Sequence, residues 1–498
     1  MNISLLLKMA ADAEPDRIGL TCDDRNWSYR ELWHAATGAA TIIDGAAVDH
    51  VALLGTSSEA APIALFGAAL AGAPYCPLNY RLPDADLSAL IARLDPALIV
   101  GEAARAGTLV SETGCVLAER RDFIADAEAA GSPMLEAANG EGIAVQLFTS
   151  GTTAAPKAAV LNHANLMAYI LGTVEFGGAG TEEAALVSVP PYHIAGIAAL
   201  LSSIYAMRRI VLLPAFDPET WIALCGREGC TNAFVVPTML GRIAEKLPAD
   251  GGTGILPQLR AIAYGGGRMP VELIGRALNL LPHVGFTNAY GLTETSSTIA
   301  LLGPDEHRAA LASNDPSVRS RLGSVGKPLP SIELEVRDDA GRVLPAGERG
   351  EIHVRGDQVS GQYRERSALD ADGWFGTRDA GYLDEDGYLF LAGRADDVIV
   401  RGGENISPGE IEEVLTAQDG IADAAAVGIP SVEWGEAVAV AIATDGEGPD
   451  DDAIRDIIRE RLRSSRVPER ILRVDALPYN EMGKLLRREV RLMFADTI

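Results

Sequence analysis

A strand–helix–strand pattern recurs through the N-terminal part of the chain and limits the possible folds more than any other feature. Residues 51–55 form a short apolar run typical of a buried strand, residues 60–71 have the pattern of a helix, and residues 73–78 resemble a second strand. The same order returns at residues 210–236 and 259–288. Parallel strands need a long crossover connection, which a helix of this length provides. We therefore predict an α/β fold built on mainly parallel sheets covered by helices.

The sequence pattern changes after residue 323. Short apolar runs at residues 332–336, 342–345, 350–355 and 388–392 are separated by the turn sequences DDAG, PAGERG and DEDG. Short strands joined by turns rich in glycine and aspartate are typical of antiparallel meanders. We predict an antiparallel part that follows the parallel sheets.

A smaller α+β unit is predicted after residue 394. Residues 410–417 have the pattern of a helix, with Ser407 as its cap and Pro408 in its first turn. The other predicted elements are two strands and a helix, at residues 424–429, 437–443 and 450–462. The main boundary then divides the chain into a large domain, residues 1–394, and a small domain, residues 395–498.

Charge and composition exclude several classes of partner. The net charge of −27 at pH 7 argues against nucleic acid and against an anionic membrane surface, because no basic stripe offsets it. Residues 60–78 are the longest apolar stretch, but prolines interrupt it, so we expect no membrane span. The N-terminus does not resemble a signal peptide. The five scattered cysteines are odd in number and predict reduced thiols in a cytoplasmic protein.

A loop rich in hydroxyl side chains follows the apolar run at residues 143–148. Residues 148–157 read FTSGTTAAPK, and such a loop can wrap an anion with backbone N–H groups, hydroxyls and a lysine. It is not a Walker loop, because no glycine precedes the lysine and no serine or threonine follows it. Phosphate binding is favoured over a simple turn ended by Pro156. The candidate ligands are Thr149, Ser150, Gly151, Thr152, Thr153 and Lys157.

Two more loops follow predicted strands. His193 lies in PPYHIAG, where a loop can present a side chain to a ligand; a histidine with its hydrogen bonds satisfied inside the loop is an equally good interpretation. Residues 264–268 read YGGGR. The three glycines, Gly265, Gly266 and Gly267, would let the backbone approach a flat ligand, and the alternative is a flexible turn before a helix.

Residues 288–295, NAYGLTET, also come at the end of a predicted strand. Tyr290 can stack on a base, and Asn288 can hydrogen-bond to the edge of that base. Thr293 can reach a phosphate, and Glu294 can bind a hard cation such as Mg²⁺ through oxygen. Taken singly, each of these residues is more often structural.

Three charged residues nearer the C-terminus are further candidates. Asp379, in WFGTRDAGYLDED, can accept hydrogen bonds from both hydroxyls of a ribose. Arg394 follows it in GRADD. A hairpin aspartate and a surface arginine are the ordinary alternative for these two. Lys484, in LPYNEMGKLLR, has the sequence context of a solvated surface lysine.

Taken together and in this order, these segments resemble the adenylate-forming superfamily, which contains acyl-CoA synthetases, peptide-synthetase adenylation domains and beetle luciferases. The resemblance extends from about Thr21 to Arg487 and includes two weaker matches at residues 67–79 and 428–442. It implies a large N-terminal domain of mainly parallel sheets with a distorted, barrel-like antiparallel part. A hinge would join this domain to a small α+β C-terminal domain.

The resemblance implies roles for these residues in binding ATP, Mg²⁺ and CoA. The residues it places around ATP are Thr149, Ser150, Gly151, Thr152, Thr153, Lys157, Gly265, Gly266, Gly267, Asn288, Ala289, Tyr290, Gly291, Asp379 and Arg394. Those it implies for catalysis are Lys484, His193, Thr293 and Glu294, with Glu294 and Thr152 on the metal. It implies that Asp396 is the hinge and that Gly402 and Gly403 leave room for a pantetheine arm.

The implied reaction has two halves. A carboxylate attacks the α-phosphorus of ATP, which gives an acyl adenylate and pyrophosphate, and Lys484 bridges the two reacting anions. The small domain then rotates about the hinge, and a thiol attacks the acyl carbon.

The chain departs from the family pattern at several positions. Ala154 and Ala158 stand where the phosphate loop of the family has glycines, and alanine tolerates a positive φ poorly. Asn288 and Ala289 stand where other members often have glutamine and glycine. Gly409 replaces an aliphatic residue or alanine, which weakens the start of its helix.

The sequence says less about which carboxylic acid is activated and which thiol accepts the acyl group. PPYHIAGIAAL contains no aspartate that would anchor an amine, so an α-amino acid is disfavoured. Small residues at Ala195, Gly196 and Ala198 favour an apolar acid: aryl, alicyclic or medium-chain.

No carrier-protein domain follows residue 498 and no clear insertion precedes the small domain, so we expect free CoA as the acceptor. Transfer to a carrier protein, oxidation of the acyl group as in luciferases, and a non-catalytic nucleotide-binding homologue are the alternatives. We expect a monomer or a homodimer.

Overall fold

The computed structural model describes residues 1–131, 138–149, 156–394, 397–401, 404–431, 434–444, 446, 448–480 and 483–495. Its strands are β1 Ile18–Cys22, β2 Arg25–Ser28, β3 His50–Leu54, β4 Tyr75–Pro77, β5 Ala97–Gly101, β6 Val116–Glu119, β7 Ile143–Thr149, β8 Lys157–Asn162, β9 Ala184–Val187, β10 Arg209–Leu212, β11 Asn232–Val235, β12 Ala261–Gly265, β13 Gly285–Leu292, β14 Ser297–Leu302, β15 Lys327–Pro328, β16 Glu333–Arg337, β17 Gly350–Arg355, β18 Gln362–Tyr363, β19 Arg366–Ser367, β20 Phe375–Leu383, β21 Leu389–Arg394, β22 Ile399–Arg401, β23 Glu404–Ile406, β24 Ile421–Ser431, β25 Gly435–Thr444 and β26 Arg470–Val474.

The α-helices are α1 Ser4–Ala13, α2 Tyr29–Ala46, α3 Ala60–Ala71, α4 Asp84–Ala92, α5 Ala103–Val110, α6 Arg120–Ala130, α7 His163–Thr173, α8 Ile194–Tyr205, α9 Pro218–Arg227, α10 Pro237–Lys246, α11 Val271–Leu280, α12 Pro304–Ala312, α13 Pro316–Ser320, α14 Pro408–Thr416, α15 Asp451–Arg461 and α16 Arg487–Ala495.

Two large sheets form the frame of the N-terminal part. The first has the order β15-β14-β13-β12-β11-β9-β10-β1-β2, and the second has the order β19-β18-β8-β7-β4-β3-β5-β6. The central strands of both sheets are parallel. Antiparallel strands lie at both ends of the first sheet and at the β19 end of the second, whose other end, β5 and β6, is parallel. The prediction of mainly parallel sheets joined by helical crossovers is confirmed.

The largest hydrophobic core contains side chains of both sheets and of helices α1, α2, α3 and α8. Helix α3 shows why the sequence selects this arrangement. Its residues are apolar on every side, and all but Ala71 are buried. A helix without a polar face is stable only when protein surrounds it.

The antiparallel part is a third sheet of order β16-β17-β20-β21, distorted by β-bulges at 351/353 and 380/381. The predicted strand at residues 342–345 is wrong. In this segment the structure has a single bridge, which joins Val343 to Arg337. Strands β18 and β19 leave the meander and join the second large sheet through β8. This crossing brings residues 362–363 beside Lys157–Asn162.

The C-terminal part has its own five-stranded sheet of order β23-β22-β25-β24, with β26 parallel to β25. Helix α14 begins after Ser407 with Pro408 in its first turn, as predicted. The Ser407 hydroxyl does not cap the helix, because it donates a hydrogen bond to the carbonyl of Ala392 in β21. The boundary at residues 394/395 stays a prediction, and the predicted hinge residue Asp396 lies outside the described residues.

The remaining expectations concern cysteines and membranes. All five cysteines have free thiols, as predicted. Throughout the described residues, the helices are too short or too polar to traverse a lipid bilayer.

Candidate active site

Parallel strands deliver several candidates to one edge of the first sheet. β9, β11, β12 and β13 are neighbours and run in the same direction, so their carboxyl ends share this edge. His193 follows β9, Gly265 ends β12, and Glu294 follows β13. Ligands of open α/β sheets commonly bind beyond the carboxyl ends of the strands.

The glycines at this edge are required by the backbone itself. A Cβ on Gly265 would lie 2.3 Å from the carbonyl oxygen of Ala289 on the next strand, and a Cβ on Gly291 would lie 1.8 Å from that of Ser297. Gly266 has a φ of 81°, in the left-handed region. These observations give structural reasons for Gly265, Gly266 and Gly291. The predicted adenine contact of Gly265, Gly266, Gly267 and Gly291 stays a prediction.

Asn288 already has a partner inside the protein. Its side-chain amide donates a hydrogen bond of 3.0 Å to the carbonyl of Ser324, and the residue is buried. The side chains of Asn288 and Tyr290 are buried on one face of β13, whereas Ala289 between them is partly exposed on the other. A role of Asn288 at the edge of a base stays a prediction, and its NH₂ group would have to exchange partners.

Tyr290, Asp379 and Arg394 meet in one cluster. The Tyr290 hydroxyl donates to Asp379 Oδ2 at 2.7 Å, and Arg394 Nε lies 3.1 Å from Asp379 Oδ1. Asp379 and Arg394 face each other across β20 and β21. Burial, followed by the negative charge of Asp379, raises the pKa of Tyr290 well above its ordinary value. The three residues therefore form one cluster, and the roles of Asp379 and Arg394 at a ribose stay predictions beside the alternative of a structural hairpin ion pair.

Arg378, next to Asp379, has a strained backbone. Its φ is 59°, in the region that non-glycine residues rarely occupy. Its backbone N–H donates to Glu351 Oε1 at 3.0 Å. Strain of this kind often accompanies functional sites, and here it adjoins the carboxylate that joins Tyr290 and Arg394.

Replacing Arg378 with glycine is expected to raise the free energy of unfolding by about 1 kcal/mol, because glycine adopts a left-handed backbone without crowding from a Cβ. Urea unfolding followed by tryptophan fluorescence measures the change. Arg378→Ala is the matched control, since it removes the guanidinium but keeps the Cβ. Equal stabilisation of the alanine and glycine variants would contradict the backbone explanation.

Glu294 and Lys157 are linked through Tyr363, which the sequence analysis missed. The Tyr363 hydroxyl donates to Glu294 Oε1 at 2.7 Å, and Lys157 Nζ lies 5.6 Å from the centre of the Tyr363 ring. The backbone N–H groups of Ser360 and Gly361 donate to the Glu294 carbonyl at 2.9 and 3.0 Å. No local signal marks Tyr363, because its position depends on the pairing of β18 with β8.

The two ends of the candidate phosphate loop are paired. Thr149 faces Lys157 across β7 and β8, and the Thr149 hydroxyl lies 3.5 Å from the Lys157 carbonyl. This hairpin places the lysine at the mouth of the loop. The other candidates for phosphate and pantetheine contact lie outside the described residues: Ser150, Gly151, Thr152, Thr153, Gly402 and Gly403.

His193 precedes helix α8 and has a buried ring. Its ring lies 4.5 Å from that of Tyr192. Burial, helped by the positive charge of Arg81, lowers the pKa of His193 to about 4, so the ring is neutral near pH 7. Its Nε2 atom is buried and has no hydrogen-bond partner among the described residues. A buried ring nitrogen without a protein partner can pair with water or with a ligand, and contact of His193 with a substrate stays a prediction.

Lys484 reaches this cluster from the C-terminal part of the chain. Asn480 holds its turn, since Lys484 N–H donates to Asn480 Oδ1 at 2.9 Å. Gly483 has a φ of 66°, and a Cβ there would lie 2.7 Å from Thr238 Cγ2 at the start of α10. Only glycine therefore allows the lysine turn to approach the large domain this closely.

The charges around Lys484 come mainly from the large domain. Lys484 is exposed to solvent, yet desolvation by the surrounding protein lowers its pKa, and the positive charge of Arg394 lowers it further. The negative charges of Asp379, Asp397 and Glu294 act in the opposite direction. The structure thus places Lys484 within the electrostatic influence of the residues predicted for ribose and metal, and its catalytic role stays a prediction.

Comparison with protein-family models identifies the chain. Residues 7–364 match the model of the AMP-binding enzyme, and residues 410–484 match that of the AMP-binding enzyme C-terminal domain. The chain belongs to the AMP-binding enzyme family. The resemblance to adenylate-forming enzymes is therefore confirmed, and so is the prediction of an enzyme.

Curated relatives of this AMP-binding enzyme include ligases with two kinds of acceptor. The 2-succinylbenzoate–CoA ligase of Bacillus licheniformis is 31% identical over 97% of this chain and 98% of its own length. The fatty acid–[acyl-carrier-protein] ligase ScoC of Streptomyces coeruleorubidus is 32% identical over 97% and 95%. These names agree with the predicted CoA ligase and with its carrier-protein alternative.

Solved structures confirm the fold. ATP-bound MatB from Rhodopseudomonas palustris matches with a TM-score of 0.88 at 26% identity, covering all of both chains. Apo MatB from the same organism covers the same extent but matches with a TM-score of 0.77. The chain is therefore more similar to the ATP-bound arrangement of MatB than to the apo arrangement.

The residues of this AMP-binding enzyme fit a magnesium ion that arrives with a nucleotide. Among the described residues, no three histidine, cysteine, aspartate or glutamate side chains form a metal cluster. Mg²⁺ usually takes one or two carboxylates and completes its shell with waters and substrate phosphates. Glu294, which Tyr363 links to Lys157, is a carboxylate of the kind that could do so, and its binding of Mg²⁺ stays a prediction.

Proposed function

We propose that this protein is an ATP-dependent acid–CoA ligase. It activates a carboxylic acid as an acyl adenylate with release of pyrophosphate, and it then transfers the acyl group to the thiol of CoA. The observation that carries the proposal is the position of Lys484, which lies among the charges of Arg394, Asp379 and Glu294. A mobile cation next to a nucleotide-binding cluster suits a reaction that joins two anions.

In the first half-reaction, a carboxylate oxygen attacks the α-phosphorus and the bond to pyrophosphate breaks. The Lys484 ammonium lies between the carboxylate and the α-phosphate and offsets their repulsion. Lys157 and the loop at residues 149–153 hold the leaving pyrophosphate, and Thr293 donates to the α-phosphate. Mg²⁺ held by Glu294, with Thr152 as the second protein ligand, would neutralise phosphate charge.

The nucleoside contacts follow from the Asp379 cluster. Asp379 accepts hydrogen bonds from the ribose hydroxyls while Arg394 and Tyr290 fix its orientation. The strand end that carries Ala289 and Tyr290 provides the face against which adenine packs. These contacts orient ATP so that its α-phosphate meets Lys484.

The acid is proposed to be apolar. His193 is neutral near pH 7, and its buried Nε2 has no partner among the described residues. It can therefore hydrogen-bond to the substrate without adding charge. Gly196 is required by packing, since a Cβ there would lie 2.9 Å from the Pro190 carbonyl. An aryl ring is favoured, because 2-succinylbenzoate, the acid named for one relative, is aromatic, although that acid carries a second carboxylate and is not apolar.

In the second half-reaction, the thiolate attacks the acyl carbon and AMP leaves. Lys484 occupies the approach of the thiol and has to withdraw, which a rotation of the small domain about Asp396 would achieve. Gly402 and Gly403 would then border the pantetheine arm. A phosphopantetheine on a carrier protein is the second candidate acceptor, favoured by the likeness to ScoC. A cytoplasmic location and a monomeric or homodimeric state stay predictions, as does the absence of a nucleic-acid partner.

A panel of carboxylic acids tests the proposal. Aryl, alicyclic and medium-chain acids, with acetate and α-amino acids as comparators, are incubated with ATP and Mg²⁺, and pyrophosphate release is measured with and without CoA. Release with an apolar acid and formation of its CoA thioester are expected. Thioester formation only with holo-carrier protein would identify the second acceptor. The absence of pyrophosphate release with every acid would refute the ligase.

Replacing Tyr363 with phenylalanine is expected to slow adenylate formation and to raise the Mg²⁺ concentration required, each by about tenfold, a usual cost when a hydrogen-bond partner of a metal ligand is lost. The substitution removes the hydroxyl that orients Glu294 but keeps the ring beside Lys157. Pyrophosphate exchange measured over a range of Mg²⁺ concentrations gives both quantities.

Tyr388→Phe is the control for this substitution. The Tyr388 hydroxyl also donates to a glutamate, Glu306 Oε1 at 2.9 Å, so this variant loses the same kind of hydrogen bond but not the one to Glu294. It should leave the magnesium dependence unchanged. If the two phenylalanine variants respond alike, the hydrogen bond to Glu294 has no role in metal binding.

A further inference from the structure

Arg268 reaches from the large domain to the small domain. It follows the glycines of YGGGR, and its guanidinium contacts the first turns of α14. Nη1 donates to the Gly409 carbonyl at 3.2 Å, and Nη2 lies 2.9 Å from Glu413 Oε2. These three residues, Arg268, Gly409 and Glu413, are called the interdomain latch below.

Gly409 lies close to the Arg268 guanidinium. A Cβ on Gly409 would lie 3.2 Å from Arg268 Nη1, closer than most real Cβ contacts, so the guanidinium would have to shift by a few tenths of an ångström. Glycine inside a helix is less stable than alanine, and the family resemblance implies an aliphatic residue or alanine at this position. The latch gives a physical reason for accepting this local cost.

Two other contacts join the large domain to the small domain near α14. One is a longer ion pair whose glutamate also pairs within the small domain, and the other is a hydrogen bond between uncharged groups. Arg349 Nη1 lies 3.8 Å from Glu410, whose carboxylate also lies 2.8 Å from Arg466 within the small domain. The Ser407 hydroxyl donates to the Ala392 carbonyl. Arg268 and Glu413 therefore form the closer of these two interdomain ion pairs among the described residues.

We propose that Arg268 is a positioning residue for adenylate formation, acting through the interdomain latch. The proposal rests on the proposed ligase function. The same arrangement that joins Arg268 to α14 places Lys484 among Arg394, Asp379 and Glu294. The latch also ties α14 to the segment that directly follows Gly265, Gly266 and Gly267. It thereby favours the domain arrangement in which Lys484 acts, and it has to break before the thiol step.

The expected energy is modest because the ion pair is exposed. The side chains of Arg268 and Glu413 are 57% and 69% exposed, and surface ion pairs contribute about 0–1 kcal/mol. A shift of this size changes a conformational equilibrium by at most about fivefold. The latch therefore biases the domain equilibrium without locking it, as an enzyme that alternates between two arrangements requires.

Arg268→Ala is expected to slow pyrophosphate exchange by about two- to fivefold, while thioester formation from supplied acyl adenylate is unchanged or faster. Arg260→Ala is the matched control. Arg260 forms an equally exposed ion pair with Glu182, with side chains 56% and 60% exposed, entirely within the large domain. It should change neither half-reaction.

Gly409→Ala distinguishes an effect on the interdomain latch from an effect on the stability of the fold. The added methyl group strengthens the helix but crowds the Arg268 guanidinium. The variant should therefore be more stable to urea and yet slower in pyrophosphate exchange. In the Arg268→Ala background the same methyl group should leave exchange unchanged, because the group that it crowds is gone.

A charge swap tests the pairing itself. Arg268→Glu should weaken adenylation, and adding Glu413→Arg should restore it, which a role of Arg268 confined to the large domain would not produce. Raising the salt concentration from about 0.05 to 0.5 M should reduce the exchange rate of the wild type more than that of Arg268→Ala, since exposed charges are screened.

Hydrogen exchange of the α14 amides provides a readout that needs no substrate. Faster exchange in Arg268→Ala, normal exchange in Arg260→Ala and recovery in the charge swap are expected. If amide exchange becomes faster in Arg268→Ala but adenylation and thioester formation change to the same extent, the contact exists without positioning Lys484, and the proposal is overturned. Identical behaviour of Arg268→Ala and Arg260→Ala in every assay also overturns it. Failure of the wild type with every acid would instead refute the ligase function, while amide exchange would still report the contact.

Discussion

Lys484→Ala is expected to slow adenylate formation by about a hundredfold or more, the usual cost of losing a key electrostatic donor at a reacting oxygen. Lys484 is the residue that the C-terminal part places among the large-domain charges of Arg394, Asp379 and Glu294. Without it, the carboxylate approaches the α-phosphate with its repulsion uncompensated. Thioester formation from supplied acyl adenylate should remain largely intact, because the thiol step begins after the lysine has withdrawn.

Pyrophosphate exchange and a thioester assay, run on the same preparation, measure the two half-reactions of Lys484→Ala separately. Lys246→Ala serves as the control, because Lys246 lies at the end of α10 and pairs with Glu219 on the surface. Exchange at the wild-type rate in Lys484→Ala would remove the lysine from the mechanism. Equal losses in both half-reactions would show that the lysine is not specific to adenylate formation.

The pH dependence of adenylation follows from the same lysine. Desolvation by the surrounding protein and the positive charge of Arg394 lower the pKa of Lys484 from its ordinary value of 10.5. The ammonium form is the active one, so adenylation should decline with rising pH at a lower pH than for a free lysine. Thioester formation should lack this alkaline loss. A shared alkaline limb in both half-reactions would assign the titration to another group.

The sequence predicts the parallel frame well, because its signals are local. Helix α3 begins and ends at the predicted residues, since Gly72 ends its apolar run. The strand predicted at residues 342–345 fails, and the segment has only the bridge from Val343 to Arg337. This apolar run is short and lies between two turns. Whether such a run forms a strand depends on pairing with neighbouring strands.

The site is predicted only where strand ends or a family pattern mark it. Asp379 and Arg394 are candidates from sequence, but their contact depends on the register of β20 and β21. Tyr363 and Arg268 carry no local signal, because their partners Glu294 and Glu413 are distant in the chain. Such contacts follow from how sheets and domains pack, and a single sequence does not encode them in any short pattern.

Asp379→Asn is expected to raise the KM for ATP by about tenfold or more while kcat changes little, because a hydrogen bond to a charged group contributes about 1.5–3 kcal/mol and this contact is made in both the ground and transition states. Asparagine keeps the shape but loses the charge that Arg394 and Tyr290 share. Removal of that charge should also lower the pKa of Tyr290, although burial will keep it above the ordinary value. Ultraviolet titration of the tyrosines measures this second effect.

Asp384→Asn is the matched control for Asp379→Asn, since Asp384 lies beyond the end of β20 in the same hairpin and lies 3.6 Å from the Arg321 guanidinium. Both substitutions remove one arginine-paired carboxylate from one structural unit, so loss of stability alone would affect them alike. A rise in the KM for ATP confined to Asp379→Asn identifies the ribose contact. An unchanged KM, with reduced stability in both variants, would mean that Asp379 only braces β20 and β21, and the nucleoside would then have to bind elsewhere along the strand edge.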